Sequence, residues 1–174
     1  MSLPETVKKV YLSLGTNLGD RLANIKKAIK LLKALPLQIE GISSIYESEP
    51  LYYHSENYFY NLVLVISTSL SPFALFLELK KIEFKMGRER TIELTDRPID
   101  LDIIFYEDRV LVSKILQIPH PRAKERAFVI VPASEISPHF IDPISGMKLK
   151  EIYTTQKELF EKQKLKKLSI KVVL

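Results

Sequence analysis

The chain has 174 residues, 46% hydrophobic and 27% charged, with a net charge of +5 and no cysteine. That length suits one domain with a real core, and the missing thiols exclude disulfides and thiolate metal sites. No apolar run approaches the roughly 20 residues that span a bilayer, and the opening Met1-Ser2-Leu3-Pro4-Glu5 lacks the pattern of a secretory signal, so a cytoplasmic protein without a membrane partner is expected.

The positive charge is unevenly placed. From Lys157 onward six lysines face two glutamates, and the body ahead of them is nearly neutral. The basic balance is therefore a property of the tail and weak evidence for nucleic acid.

Val7 to Leu14 reads as a first strand, with Val10, Leu12 and Leu14 on one face. Gly15 to Asp20 is a turn, too short for a phosphate-cradling loop because no Gly-Lys-Ser/Thr follows. Asp20 is a candidate N-cap for a helix whose Leu22, Ile25, Ile29 and Leu32 step by three and four. That helix ends before Pro36. Leu37 to Tyr46 is a second strand with a break near Gly41. Pro50 and its polar neighbours make 47–57 a long loop, crowded with Tyr52, Tyr53, Tyr58 and Phe59. Tyr60 to Thr68 is a third strand.

Ser71-Pro72 opens a second helix, with Leu75, Leu79, Ile82 and Met86 as its stripe and Gly87 at its close. A polar segment leads to Arg97-Pro98-Ile99-Asp100-Leu101-Asp102-Ile103-Ile104-Phe105, a fourth strand. Val110 to Val112 reads as its short hairpin partner. Arg122 to Glu135 has a helical pattern, interrupted near Arg126 and ending around Pro132. Met147 to Tyr153 is a short helix, and the tail from Thr154 is a charged helix. The order strand-helix-strand-strand-helix-strand predicts an α+β fold: a ferredoxin-like βαββαβ core with a largely antiparallel sheet in a three-layer αβα arrangement. Residues 1–153 are expected to form that domain, and 154–174 a basic extension that is not a separate one.

Chemistry concentrates on the fourth strand. Side chains alternate along a strand, so Asp100 and Asp102 share a face, roughly 6.5 Å apart. Two neighbouring carboxylates repel unless a cation lies between them. Hard oxygen ligands suit Mg²⁺, usually held by one or two carboxylates plus substrate phosphates. Arg88, Arg90, Arg97, His120, Arg122 and Arg126 can neutralise such phosphates. Taken singly, each is as readily a solvated surface charge; taken together with the acids they describe a phosphoryl-transfer site. His54 and His139 have no partner pattern and make no zinc site. Aromatic rings in the 47–60 loop stack on planar heterocycles, and an amide such as Asn61 reads a ring edge; equally, Phe59 and Tyr60 could simply begin the core of the third strand.

Three ordered motifs carry a family resemblance: the Arg97–Ile104 run, the opening Leu12-Ser13-Leu14-Gly15-Thr16-Asn17-Leu18-Gly19-Asp20, and Pro119-His120 with Arg126 and Phe128. Over roughly Val10 to Tyr153 the chain resembles the 6-hydroxymethyl-7,8-dihydropterin pyrophosphokinases of folate biosynthesis. The resemblance implies transfer of pyrophosphate from ATP to the pterin hydroxymethyl group, leaving AMP. It implies two Mg²⁺ ions on Asp100 and Asp102, with Arg88 and Arg97 acting with them in catalysis. It implies ATP contacts from Glu83, Arg88, Arg90, Arg97, Ile103, His120 and Arg126. It implies pterin contacts from Ser48, Leu51, Phe59, Asn61, Asp100 and Phe128. The chain departs from the family in its short 91–96 loop without tryptophan, in Lys80 where an amide is common, in Pro121 after the histidine, and in its long tail. No nucleic-acid or membrane partner is expected, and the protein is read as a monomer or homodimer. The rival readings are a nucleotidyltransferase, which also pairs aspartates on a strand, and an RNA-binding ferredoxin-like module.

Overall fold

Val10, Leu12 and Leu14 alternate with Tyr11, Ser13 and Gly15, and that two-residue period makes β1 (Lys8–Thr16) a strand buried on both faces. The computed structural model describes residues 6–174; the opening stretch read for a signal lies outside them. β1 pairs antiparallel with β4 (Phe59–Thr68) on one side and β5 (Asp100–Tyr106) on the other. β2 (Leu37–Ile42) and β3 (Tyr46–Ser48) both pair antiparallel with β4.

Helices cover both faces, so the three-layer reading holds. On one face α1 (Arg21–Lys33) and α2 (Pro72–Lys85) bury Ile25, Ile29, Leu32, Leu75 and Leu79 against Leu12, Leu14, Leu62, Leu64, Leu101 and Ile103. Asp20 and Ser71 cap these helices by accepting from the backbone N–H of Ala23 and Ala74. Gly87, at φ +90°, closes α2 in the left-handed region. On the other face α3 (Ala127–Ile136), α4 (Leu149–Thr155) and α5 (Lys157–Lys162) pack Val129, Ile130, Ala133, Ile152 and Phe160 against Tyr11, Val63, Val65 and Phe105.

Four sequence expectations are corrected. The second strand shifts register between Ile39 and Gly41, as the expected break near Gly41 has it, but it then stops at Ile42 and resumes as a separate strand at Tyr46. In that gap, Ser43 Oγ accepts the Val63 N–H at 2.9 Å, so a side chain takes the bond a ladder carbonyl would. The hairpin partner of β5 is not β6 (Leu111–Val112), which pairs instead with β7 (Gln117–Ile118). The interruption near Arg126 is there, between a 3₁₀ turn at Ala123–Glu125 and α3, but α3 does not end at Pro132 and runs through it to Ile136. The tail is not one charged helix. After α5 it turns into β8 (Lys166–Lys167), which pairs with Tyr46 and Glu47 of β3.

The Leu168 N–H then donates to Ile45 O, and Leu168, Ile170 and Val172 pack on the core beside α1 and α2. The tail thus covers an open sheet edge and holds the strand that carries Ser48. Removing residues 166–174 should cost about 3 kcal/mol, taking roughly 1 kcal/mol per half-buried aliphatic side chain. At this chain length that is roughly 10 °C, read by thermal melting of the truncated chain against the full one. Among the described residues, no helix is long and apolar enough to cross a membrane.

Candidate active site

The second face of the sheet is apolar at one end and polar at the other. Leu12, Leu14, Leu62, Leu64, Leu101 and Ile103 point to α1 and α2, so their alternating neighbours Ser13, Gly15, Asn61, Asp100 and Asp102 must point the other way. There α3 does not reach far enough to cover them. The cleft left open is lined by these residues together with Ser48, Leu51, Tyr52, Tyr53, Phe59, Leu94, Arg97, Arg126 and Phe128. Its floor needs small residues: a Cβ on Gly15 would sit 3.4 Å from Asn61 Oδ1 and 3.5 Å from the Phe59 ring.

One side of the cleft is built around Asn61, which is 2% exposed. Its Nδ2 donates to Tyr46 O at 3.1 Å and Ser48 Oγ at 2.9 Å. Both donors are therefore spent on β3. The carbonyl oxygen is left to accept from whatever enters the cleft.

The acidic side is asymmetric. Arg88 Nη1 donates to Asp100 Oδ1 at 2.6 Å, and Arg97 Nη1 lies 3.6 Å from Asp100 Oδ2. Burial works against ionisation of Asp100, but the charge and hydrogen bond of Arg88, then Arg97 and Lys80, outweigh it and hold the carboxyl below its usual range. Asp102 takes no hydrogen bond or ion pair among the described residues. Burial, and then the neighbouring Asp100 charge, push it up to about 7. A carboxylate aimed into a cleft, destabilised by its neighbour and left without a donor, suits a divalent cation. No group of three or more His, Asp or Glu side chains converges among the described residues, so two carboxylates would need oxygens from a substrate to complete a hard-ion shell.

Glu83, 3% exposed, lies beneath this wall. Its carboxylate accepts from Lys80 at 2.7 Å, from Arg88 at 2.8 Å and from the Leu101 N–H at 3.2 Å. It ties α2, the arginine and the start of β5 together.

His120 is placed by a bulge. Tyr11 pairs with Phe105 but Leu12 pairs with Ile103. The displaced Ile104 carbonyl accepts the His120 N–H at 2.9 Å. The ring Nδ1 accepts from the Arg122 N–H at 3.2 Å. Burial, followed by the charge of Arg126, lowers its pKa to about 4. The imidazole is therefore neutral near pH 7, with Nε2–H as its donor. Arg126, at the start of α3, donates from Nε to Tyr52 OH at 3.2 Å and lies over the Tyr52 and Phe128 rings.

Nine of the residues singled out from the sequence line this one cleft: Ser48, Leu51, Phe59, Asn61, Arg97, Asp100, Asp102, Arg126 and Phe128. Arg88 reaches it through Asp100. Glu83 and Ile103 are buried behind it, Ile103 facing α1 and α2, and Arg90 stands exposed on the loop after α2. The loop aromatics Tyr52 and Tyr53 also line it, while sequence reasoning passed over Ser13, Glu49 and the loop residue Leu94 as cleft-lining side chains. It also passed over Asn17, Asn57 and Asp96, which meet behind the cleft. Ser13 had a readable signal, since it is a polar residue inside an apolar strand.

Residues 11–138 match the family model described as 7,8-dihydro-6-hydroxymethylpterin-pyrophosphokinase (HPPK). The chain is 44% identical over 142 residues to a 2-amino-4-hydroxy-6-hydroxymethyldihydropteridine pyrophosphokinase of Aquifex aeolicus, covering 82% of this chain and 88% of that one. It is 41% identical over 140 residues to the folic acid synthesis protein fol1 of Pneumocystis carinii, covering 80% of this chain but 19% of that longer protein. A solved structure of Plasmodium falciparum HPPK-DHPS, wild type with pteroate, superposes with a TM-score of 0.74 at 18% identity, over 98% of this chain and 47% of that one. At that identity the superposition speaks for the fold alone.

Proposed function

The chain belongs to the 7,8-dihydro-6-hydroxymethylpterin-pyrophosphokinase family, the ATP-using pyrophosphokinases of folate biosynthesis, and we propose that the cleft described above is where it transfers pyrophosphate to the pterin. The observation that carries the proposal is one of adjacency. Asn61, Phe59 and Phe128 line the same cleft as Asp100 and Asp102, and Arg97 and Arg126 line it with them.

In this reading the pterin lies on Gly15 with its ring between Phe59 and Phe128. The Asn61 carbonyl accepts from a ring N–H, and the backbone near Ser48 and Leu51 meets the rest of the ring edge. The hydroxymethyl group then points toward Asp100 and Asp102. ATP enters from the side of His120 and Arg126, which bind the phosphates. Arg88 and Arg97 take up charge on the group in transit. The pterin hydroxyl oxygen bonds to the β-phosphorus and gives up its proton to solvent, the bond between that phosphorus and the α,β-bridging oxygen breaks, and AMP leaves. Asp100 and Asp102 would hold Mg²⁺, two ions in this reading, which supplies charge neutralisation of the phosphate oxygens when bound. The protein forms no covalent intermediate; its part is positioning and charge compensation. Glu83 acts here by holding Arg88, and Arg90 by approaching the phosphates as its loop closes.

The test is product analysis with ATP, Mg²⁺ and 6-hydroxymethyl-7,8-dihydropterin. AMP and the pterin diphosphate are expected. Release of inorganic pyrophosphate would instead mark a nucleotidyltransferase. Asn61→Ala should raise the KM for pterin about 10- to 100-fold, because it strips a buried acceptor. The KM for ATP should stay within about twofold in steady-state assays, and equal loss of both would remove Asn61 from the ring site.

A further inference from the structure

Behind the cleft, three segments far apart in the chain meet on one carboxylate. Asp96 Oδ1 accepts from Asn17 Nδ2 at 2.9 Å and from Tyr53 OH at 3.1 Å, and its Oδ2 accepts from Asn57 Nδ2 at 2.5 Å. Asn17, 2% exposed, also grips the next residue from both sides. Its N–H donates to Arg97 O at 3.1 Å, and its Oδ1 accepts the Arg97 N–H at 2.8 Å. Asn17 Nδ2 further reaches Tyr53 OH at 2.8 Å and Asn57 O at 3.1 Å. The Tyr53 ring lies under the Arg97 guanidinium at 5.9 Å. The loop that walls the ring side and the arginine of the phosphate side are thus joined at a single point, and of the residues that meet there only Arg97 belongs to the catalytic set.

We propose that Asp96 is a positioning residue that fastens the 53–57 loop to Arg97, so that the wall of the ring pocket and the phosphate-binding guanidinium are held as one unit. The proposal rests on the reading of the cleft given above. Nothing in the loop's own hydrogen bonds replaces this fastening: within 53–57 the loop offers one bond, the Asn57 N–H to Ser55 Oγ at 3.1 Å. A carboxylate at 96 accepts at once from an amide on Asn17, a hydroxyl on Tyr53 and an amide on Asn57, all of which arrive as donors.

That polarity makes the pair exchangeable. Asp96→Asn replaces a charged acceptor with a neutral amide, which weakens the bonds from Asn17, Tyr53 and Asn57, and Asn57→Asp turns a carboxylate against Asp96. Each single change should lower kcat/KM for pterin about tenfold, through both a higher KM for pterin and a lower kcat, with KM for ATP within about twofold. The double variant Asn57→Asp/Asp96→Asn reverses donor and acceptor and should recover to within about threefold of the parent. Single variants within twofold of the parent would overturn the proposal. So would a double variant no better than the worse single one, or losses that follow melting temperature with both KM values unmoved. The same four proteins are compared without substrate by amide hydrogen exchange at Asn57 and Arg97, expected to be faster in each single variant and slow again in the double. Unchanged exchange overturns the fastening even if the enzyme turns over. A parent protein that makes no AMP overturns the reading of the cleft while leaving the exchange result to decide the fastening.

Discussion

Asp102→Asn should abolish pyrophosphate transfer, by on the order of 10³-fold or more, and should leave the free protein more stable at pH 8. The two halves have one cause. Asp102 faces the cleft with no donor among the described residues, and burial and Asp100 raise its pKa to about 7. An unfolded-state aspartate titrates near 3.9. Between those values the folded chain holds a proton that the unfolded chain has released. Stability from this group is therefore greatest below about pH 4 and is lost as pH rises toward 7. An uncharged isostere removes that loss, so the melting temperatures of the variant and parent should diverge with rising pH, the variant lying higher. In the parent, Mg²⁺ with ATP should close the gap, because a cation between the two acids relieves the same repulsion. A variant that still produces AMP, or one that melts lower than the parent at pH 8, would separate Asp102 from the cation site.

The parts of this architecture that sequence shows are those whose cause is local. A period of two places Val10, Leu12 and Leu14 on one face, a period of 3.6 places Ile25, Ile29 and Leu32, and Asp20 and Ser71 announce helix starts because capping needs only three residues. Asp100 and Asp102 were legible for the same reason. The break at Ser43 was not, since it depends on a hydroxyl meeting Val63 across the sheet. The tail did carry a signal: Leu168, Ile170 and Val172 alternate as a strand does, but the surrounding lysines read as a solvated helix. Asp96 and Asn17 lie 79 residues apart in the chain. No spacing rule connects them, and Asp96 reads only as the end of a short polar segment before Arg97. The ring-binding wall falls between these cases. Phe59 and Asn61 have the right chemistry, but only the pairing of β3 with β4 shows that both donors of Asn61 are consumed and its oxygen is free.

Arg88→Ala should separate cation binding from chemistry, weakening the rate while strengthening the grip on metal. In the free protein one nitrogen, Nη1, donates to both Glu83 at 2.8 Å and Asp100 at 2.6 Å. An ion that takes Asp100 Oδ1 displaces Arg88 in this reading, and the displaced guanidinium can turn to the phosphates. Its departure leaves Glu83 partnered on the inner side. Glu83 keeps Lys80 at 2.7 Å and the Leu101 N–H at 3.2 Å, so no buried charge is stranded. Without Arg88, Asp100 retains only Arg97 at 3.6 Å, and the two aspartates repel with less compensation. Mg²⁺ or Mn²⁺ titrated without nucleotide should bind about tenfold more tightly by calorimetry, the scale of one displaced charge-assisted hydrogen bond. kcat should fall roughly 10²- to 10³-fold, the usual cost of removing a donor that meets charge developing in the transition state. Folding should lose about 1–3 kcal/mol from the Glu83 contact, which leaves a chain that can be assayed. If Arg88 instead held Asp100 in place for the ion, metal affinity and rate would fall together, and the calorimetric titration alone distinguishes the two roles.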